Sequence, residues 1–277
     1  MTTSAPLWLN APDSGMPLVM GVLNVTPDSF SDGGQFERKD KALERALDMV
    51  EEGADIIDVG GESTRPGAQL VSAAEEIERV VGVVELIRAR SAIPVSVDTS
   101  KPEVMTAAAR AGASMINDVR ALRSQGALAA AAATGLPVCL MHMQGEPRTM
   151  QANPEYDDVI VEVRDFLLGR ADVCMANGIP RQHIVLDPGF GFGKSLQHNV
   201  ALLQQLDALV DSGYPVIAGL SRKSMIGALL NDSDRDRLLG SVTLALYAWR
   251  QGAHIVRVHD VGQTVEALQV EAALKSA

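Results

Sequence analysis

Cysteine is scarce in this chain: two in 277 residues, Cys139 and Cys174. That is too few for a disulfide framework. Both fall in strand or helix candidates, where a buried thiol is the expected fate. No apolar run reaches the roughly 18 residues that a membrane span requires. The first residues also lack the basic segment and apolar core of a secretion signal, so a soluble, cytoplasmic protein is expected. Basic residues are in deficit, 24 Lys and Arg against 35 Asp and Glu, for a net charge of −11. A broad nucleic-acid surface needs clustered Lys and Arg and is thereby excluded. A small anionic ligand is not, because a local field can oppose the global one. Linkers rich in Pro and Ser, charge runs and sequence repeats are missing as well. The one low-complexity patch, residues 127–133, reads as helix. One domain over residues 1–277 is expected, with its core at about 16–275.

Several chemical signatures are also absent. No zinc-ligand spacing and no nucleophile elbow occurs. The run Leu186-Asp187-Pro188-Gly189-Phe190-Gly191-Phe192-Gly193-Lys194-Ser195 invites a nucleotide-loop reading but fails it. A phosphate loop needs Gly where Pro188 stands, and the dinucleotide pattern needs Gly where Lys194 stands. These glycines instead suit close approach of backbone to a ligand, with Phe192 offering a ring face.

What the chain does have is an alternation of β-branched or aliphatic runs with amphipathic stretches. Strands are predicted at residues 18–24, 55–60, 94–98, 114–118, 137–142, 183–187, 215–220 and 254–258. Helices are predicted at 39–52, 72–90, 101–111, 123–134, 156–177, 196–211, 221–249 with a break near 231–234, and 261–275. Gly53, Gly112, Gly135, Gly178, Gly213 and Gly252 each follow a helical run, where a left-handed cap is wanted. Eight strand-helix units in one chain of this size suggest a single-domain (β/α)8 TIM barrel, with an open doubly wound sheet as the alternative.

The two-residue period of a strand sorts side chains by face. Ile255, Arg257 and His259 share one face, and Ser96 and Asp98 share another strand's equivalent. By the same counting Asn24, Asp58, Asn117, Met141, Asp187 and Ser221 point inward. Polar groups at the carboxyl ends of several strands are how a barrel assembles one site. Residues 25–38 and 61–71 are long for strand-helix connections and rich in Gly, Ser, Asp and Pro, which suits lids or clamps.

Asp98, Asn117 and Asp187 suit a flat ligand edge rich in N–H donors, because a carboxylate accepts two parallel hydrogen bonds. Capping of the helix after Lys101-Pro102 is the competing reading for Asp98. Lys223, Arg257 and His259 follow strands seven and eight, a frequent phosphate site in barrels. Arg supplies a planar fork and Lys a mobile point charge, so a phosphate or diphosphate is expected. Asn24 offers a hard oxygen suited to Mg²⁺; an Asn before a Pro-containing turn equally serves the turn.

Several segments together resemble the dihydropteroate synthase family. They are Leu23-Asn24-Val25-Thr26-Pro27-Asp28-Ser29-Phe30-Ser31-Asp32-Gly33-Gly34 and Asp58-Val59-Gly60-Gly61-Glu62-Ser63-Thr64-Arg65-Pro66-Gly67. Further matches are Ser96-Val97-Asp98-Thr99-Ser100-Lys101-Pro102, Ile116-Asn117-Asp118, Met141-His142-Met143, the Asp187 glycine run, Ser221-Arg222-Lys223 and Arg257-Val258-His259-Asp260. The resemblance implies condensation of p-aminobenzoate with (7,8-dihydropterin-6-yl)methyl diphosphate in folate biosynthesis. It also implies Mg²⁺, a homodimer and inhibition by sulfonamides. It assigns Asp98, Asn117, Met141, Asp187 and Lys223 to the pterin, and Thr64, Arg65, Arg257, Val258 and His259 to the diphosphate. Phe30, Thr64, Pro66, Phe192 and Ser221 go to p-aminobenzoate, and Asn24 to the metal. Catalysis falls to Asp98, Lys223, Arg257 and His259. A pterin-binding methyltransferase barrel is the alternative enzyme; a catalytically dead pterin-binding relative or scaffold is the alternative class.

Overall fold

The computed structural model describes residues 6–9, 15–26, 35–63, 70–145, 149–151 and 153–276. Eight parallel strands follow one another around a ring: β1 (Leu18–Asn24), β2 (Ile56–Gly60), β3 (Val95–Asp98), β4 (Met115–Asp118), β5 (Val138–Met141), β6 (Ile184–Asp187), β7 (Ile217–Ala218) and β8 (Ile255–Val258). Each pairs with its sequence neighbour, and β1 pairs with β8. The remaining gap is bridged at Leu186 and Val216, just before β7. Sequential order and closure make this a (β/α)8 barrel; a doubly wound sheet would reverse its order partway.

The helices are α1 (Gln35–Glu51), α2 (Ala73–Arg90), α3 (Pro102–Arg110), α4 (Ala127–Thr134), α5 (Val159–Ala176), α6 (Leu196–Gln204), α7 (Asp207–Val210), α8 (Ser224–Leu230), α9 (Leu238–Arg250) and α10 (Val261–Ser276). All six expected helix-stop glycines have positive φ. The expected break in the 221–249 stretch is present, while the helix expected from 39 begins earlier, at Gln35, and two others differ in extent. The 196–211 stretch splits into α6 and α7, with the α6 cap at Gln205. The 221–249 stretch breaks where Asn231 turns left-handed. The 123–134 stretch starts late, at Ala127. The Asp118 side chain accepts from the N–H groups of Arg120 (2.8 Å) and Leu122 (2.9 Å), offering the backbone a turn in place of a helix.

The lumen changes character over one period of the strand. Its lower layer is Leu18, Met20, Ile56, Met115, Cys139, Val185, Ile217 and Ile255, with Leu9 from the N-terminal 3₁₀ turn packed against it. Two residues further along, a rise of roughly 7 Å, the inward positions become Asp58, Asp98, Asn117, Asp187 and Arg257. Alternate residues such as Val59, Val97, Val256 and Val258 pack outward against the helices. Full burial of each such side chain contributes about 1.5–3 kcal/mol, so apolar packing below and outside holds a polar layer in place above. Cys139 and Cys174 are free and buried, as expected.

Candidate functional site

Four elements converge at the upper end of the barrel. Arg257 on β8 donates through Nε to Asp58 Oδ2 on β2 (2.6 Å) and through Nη2 to Asp98 Oδ2 on β3 (3.0 Å). Asn117 on β4 donates through Nδ2 to the same Asp58 oxygen (3.1 Å). Sequence separations of 59, 159 and 199 residues are closed by these three bonds. The fork geometry of guanidinium makes this possible, since two of its N–H directions serve two different carboxylates. Asn117 is also oriented: with its amide nitrogen turned to Asp58, its carbonyl oxygen is left as an acceptor.

Asp98 does not cap the following helix. Thr99 Oγ1 accepts from Lys101 N–H instead (3.2 Å), and α3 begins without a side-chain cap. Burial raises the Asp98 carboxyl to about 7, against the opposing pull of Arg257, and the nearby Asp58 charge raises it further. In the unliganded protein this fixes a sign. A folded-state value above the ordinary 3.8 means that the folded state holds a proton the unfolded chain releases. The Asp98 contribution to stability is therefore full at acid pH and is lost as pH rises through that window toward about 7. Thermal melting across this range should show a slope that flattens in Asp98→Asn; an unchanged slope would remove Asp98 as its source.

Asp58 is the residue that sequence reasoning placed inward but gave no task. It is fully buried and shares one oxygen between Asn117 and Arg257. Asp58→Asn should weaken binding of the pterin that the resemblance implies by about 1.5–3 kcal/mol, the worth of hydrogen bonds to a charged group. Titration calorimetry checks this; wild-type affinity would show that Asn117 and Arg257 hold their places without it.

Across the mouth, Asp187 ends β6 and accepts from Gly189 N–H (2.7 Å). Burial raises its pKa while Lys223, Gly189 N–H and Arg257 oppose that. Lys223, at the start of α8, donates to Phe190 O and lies 4.9 Å from the Phe192 ring centre. Burial pulls its ammonium down to about 8, and Asp187 resists. Met141, Met143, Met150 and Val119 form a small apolar cluster against which Phe192 packs. That cluster gives the polar layer one soft wall.

Three further observations refine the expected set. Ser221 Oγ accepts from His259 N–H (3.1 Å) and lies 3.0 Å from His259 Nδ1, so Ser221 fixes the histidine. Val258 is buried in the layer between strands and helices; its side chain faces away from the lumen, and only its backbone remains for a ligand. Phe30, Thr64, Arg65 and Pro66 lie outside the described residues. The stems flanking residues 64–69 are nevertheless anchored. Glu62 accepts from Val71 N–H (3.0 Å), Arg79 donates to Gly61 O (2.8 Å), and Lys101 joins Glu62 (2.7 Å) to the buried Glu76 (2.5 Å).

For a metal, no cluster of three His, Cys, Asp or Glu side chains is found among the described residues. The Asn24 carboxamide is compatible with Mg²⁺, which commonly takes only one or two protein oxygens. Its Oδ1 lies over Gly60, where an added Cβ would come 3.5 Å from it and 3.7 Å from Asp98 Cβ. Asn24 thus shares the mouth with Asp98.

The family described as pterin binding enzyme matches residues 20–259. The dihydropteroate synthase of Escherichia coli (strain K12) is 55% identical over 265 residues, covering 96% of this chain and 94% of its own length. The crystal structure of Yersinia pestis dihydropteroate synthase with a sulfonamide drug complex superposes with a TM-score of 0.91 at 52% identity, covering 100% of both chains. Xanthomonas albilineans dihydropteroate synthase with 4-aminobenzoic acid superposes with a TM-score of 0.89 at 50% identity, covering 95% of each.

Proposed function

The chain belongs to the pterin-binding enzyme family, among its dihydropteroate synthases, and from that premise we infer how its described residues serve the reaction. The enzyme is a transferase. It joins the nitrogen of p-aminobenzoate to the methylene of (7,8-dihydropterin-6-yl)methyl diphosphate, giving 7,8-dihydropteroate and diphosphate in folate biosynthesis. The observation that carries the residue assignment is the bonded set Asp58, Asp98, Asn117 and Arg257, which joins acceptors for the heterocycle to a cation for its tail.

Asp98, Asn117 and Asp187 present acceptor oxygens to the donor-rich pterin edge, with Lys223 as the opposing donor and Met141 as an apolar wall. Arg257 retains N–H donors beyond the two used by carboxylates, and with His259 it faces the departing diphosphate. Thr64, Arg65, Pro66 and Phe30 are assigned to the diphosphate and p-aminobenzoate. Phe192 and Ser221 are assigned to the p-aminobenzoate side, Ser221 also through its hold on His259. Asn24 would hold Mg²⁺. When bound, that ion supplies positive charge beside the diphosphate oxygens.

The methylene carbon–oxygen bond breaks first, and diphosphate leaves with the electron pair. The electron-rich ring shares the resulting positive charge, which the Asp98 carboxylate stabilises. The arylamine nitrogen, neutral at pH 7, then attacks the methylene and afterwards releases its extra proton to solvent. A chemical step that responds strongly to the nucleophilicity of substituted p-aminobenzoates would contradict this order. Diphosphate release on mixing both substrates with Mg²⁺ tests the activity. A methyltransferase barrel would release none, and a dead relative would bind pterin without turnover.

A homodimer is part of the proposal. Packing of α9 against its neighbours buries Ser241, Ala245 and Ala248 but leaves Leu239 at 78% exposure. On α10, Val270 and Leu274 are exposed as well. Large apolar side chains on adjacent helices favour a covering partner, here a second copy. Leu239→Glu combined with Leu274→Glu should shift sedimentation from dimer to monomer; an unaltered dimer would place the interface elsewhere. Two free buried thiols suit a cytoplasmic setting.

A further inference from the structure

Beneath the loop that follows β6 lies a cation that the reaction as described does not use. Lys194 is buried at 3% exposure. Its Nζ lies 2.9 Å from His142 Nδ1 and 3.0, 3.1 and 3.4 Å from the carbonyl oxygens of Gly189, Phe192 and His142. These acceptors come from two segments, the residue after β5 and the β6–α6 loop. An ammonium has three N–H donors and no lone pair. A neutral amine would have two donors and would turn its lone pair toward an acceptor, so the cage fits the charged form. Burial, with Lys194 and Arg123 nearby, holds His142 down at about 3. The imidazole is therefore neutral, with Nδ1 accepting and its proton on Nε2.

The two segments approach as closely as they do because glycines line the contact. A Cβ on Gly189 would come 1.9 Å from His142 O, and one on Gly193 would come 2.4 Å from Gln144 O; both residues also have positive φ. The loop then makes three contacts with pterin-side groups. Gly189 N–H bonds Asp187, Phe190 O accepts from Lys223, and the Phe192 ring lies under the Lys223 ammonium. Where this loop sits decides where Asp187 and Lys223 stand.

We propose that Lys194 is a positioning residue for the pterin pocket: its buried ammonium clamps the β6–α6 loop onto the end of β5, and the clamped loop holds Asp187 and Lys223 in binding geometry. The proposal rests on the pterin-binding reading and deepens it. Burial draws Lys194 down to about 7, Asp187 opposing and Lys223 adding to the fall. The groups facing the cage are His142 from the end of β5, Asp187 from β6, Lys223 from the start of α8 and Arg123 from the segment before α4, with the rings of Tyr156 and Phe166 from the α5 region against His142. Raising pH past neutral should discharge Lys194, release the clamp and weaken pterin binding. Asp98, raised to about 7, and Lys223, drawn down to about 8, also change charge across this range, so the informative quantity is the difference between wild type and variant.

The test is calorimetric binding of unsubstituted pterin to the full chain from mildly acid to mildly alkaline pH, for wild type and Lys194→Met, with circular dichroism as the fold control. Lys194→Met should bind at least about tenfold more weakly at mildly acid pH, the scale on which a small displacement of site groups is felt. Its alkaline loss should be smaller than that of wild type. Wild-type affinity in the variant would overturn the proposal, as would weakened binding with an unchanged pH curve, since the latter describes packing alone. Should Lys194→Met not fold, His142→Leu removes one acceptor and should move the alkaline loss to lower pH; an unmoved curve overturns the proposal. Failure of wild type to bind pterin at all would sink the functional reading, whereas wild-type binding with an indifferent variant sinks only the role of Lys194.

Discussion

Asp187→Ala should weaken binding of an unsubstituted pterin by about 2–5 kcal/mol, because it leaves two ligand N–H donors without acceptors at about 1–3 kcal/mol each. That corresponds to roughly 30-fold to several-thousand-fold in Kd. The size follows from what the carboxylate supports. It accepts from Gly189 N–H at 2.7 Å, and that donor would be left buried beside a cavity. It is also the main influence keeping the buried Lys223 charged. Without it Lys223 falls further below its present value of about 8 and loses donor strength at neutral pH. Two groups assigned to the pterin are thus impaired by one truncation. Asp187→Asn, which keeps an acceptor oxygen and removes the charge, should fall between wild type and Ala. Calorimetry settles the series, and an Ala variant with wild-type affinity would remove Asp187 from the pocket.

Arg257→Ala should distinguish the two ends of the substrate. Its loss of (7,8-dihydropterin-6-yl)methyl diphosphate should exceed its loss of unsubstituted pterin by about 1.5–3 kcal/mol, the worth of hydrogen bonds to a charged group. Some loss of plain pterin is expected too, because Arg257 bonds both Asp58 and Asp98. Removing it leaves two carboxylates facing one another in a buried layer. Asp98, already at about 7, would be driven higher and would bind pterin as a neutral acid. The fold should also weaken, by about 3–5 kcal/mol, as when one partner of a buried ion pair is removed. Melting curves must therefore accompany the binding data. Arg257→Lys retains charge without the fork; it should recover part of the diphosphate affinity without restoring both carboxylate bonds. Equal losses for the two ligands would contradict the assignment of Arg257 to the diphosphate.

Much of this architecture is legible in the residue order. Strand ends at Asn24, Asp98 and Asp187 coincide with their expected positions, because an apolar run closed by a polar residue marks where a strand leaves the core. Inward faces follow from a two-residue period that admits no intermediate phase. Helix stops follow from glycine, since few other residues tolerate the left-handed cap. The misjudged extents have equally local causes that periodicity does not register. The Asp118 side chain captures two backbone N–H groups and delays α4, and the 196–211 stretch breaks near Gln205.

The site divides along the same line. Residue type and strand position mark Asp98, Asn117, Asp187, Lys223, Arg257 and His259, because a carboxylate or guanidinium at the end of a buried strand has few structural reasons to be there. What the order of residues leaves open is who meets whom. Asp58 binds Asn117 and Arg257, Ser221 holds His259, and Lys194 lies beneath a loop rather than on a surface. These depend on barrel closure, which brings β8 beside β1 and turns both toward β2 and β3. Side-chain direction is a local property of the backbone and can be counted along the chain. Distance across the lumen, and the burial that shifts every charge there, exists only once all eight strands have closed the ring.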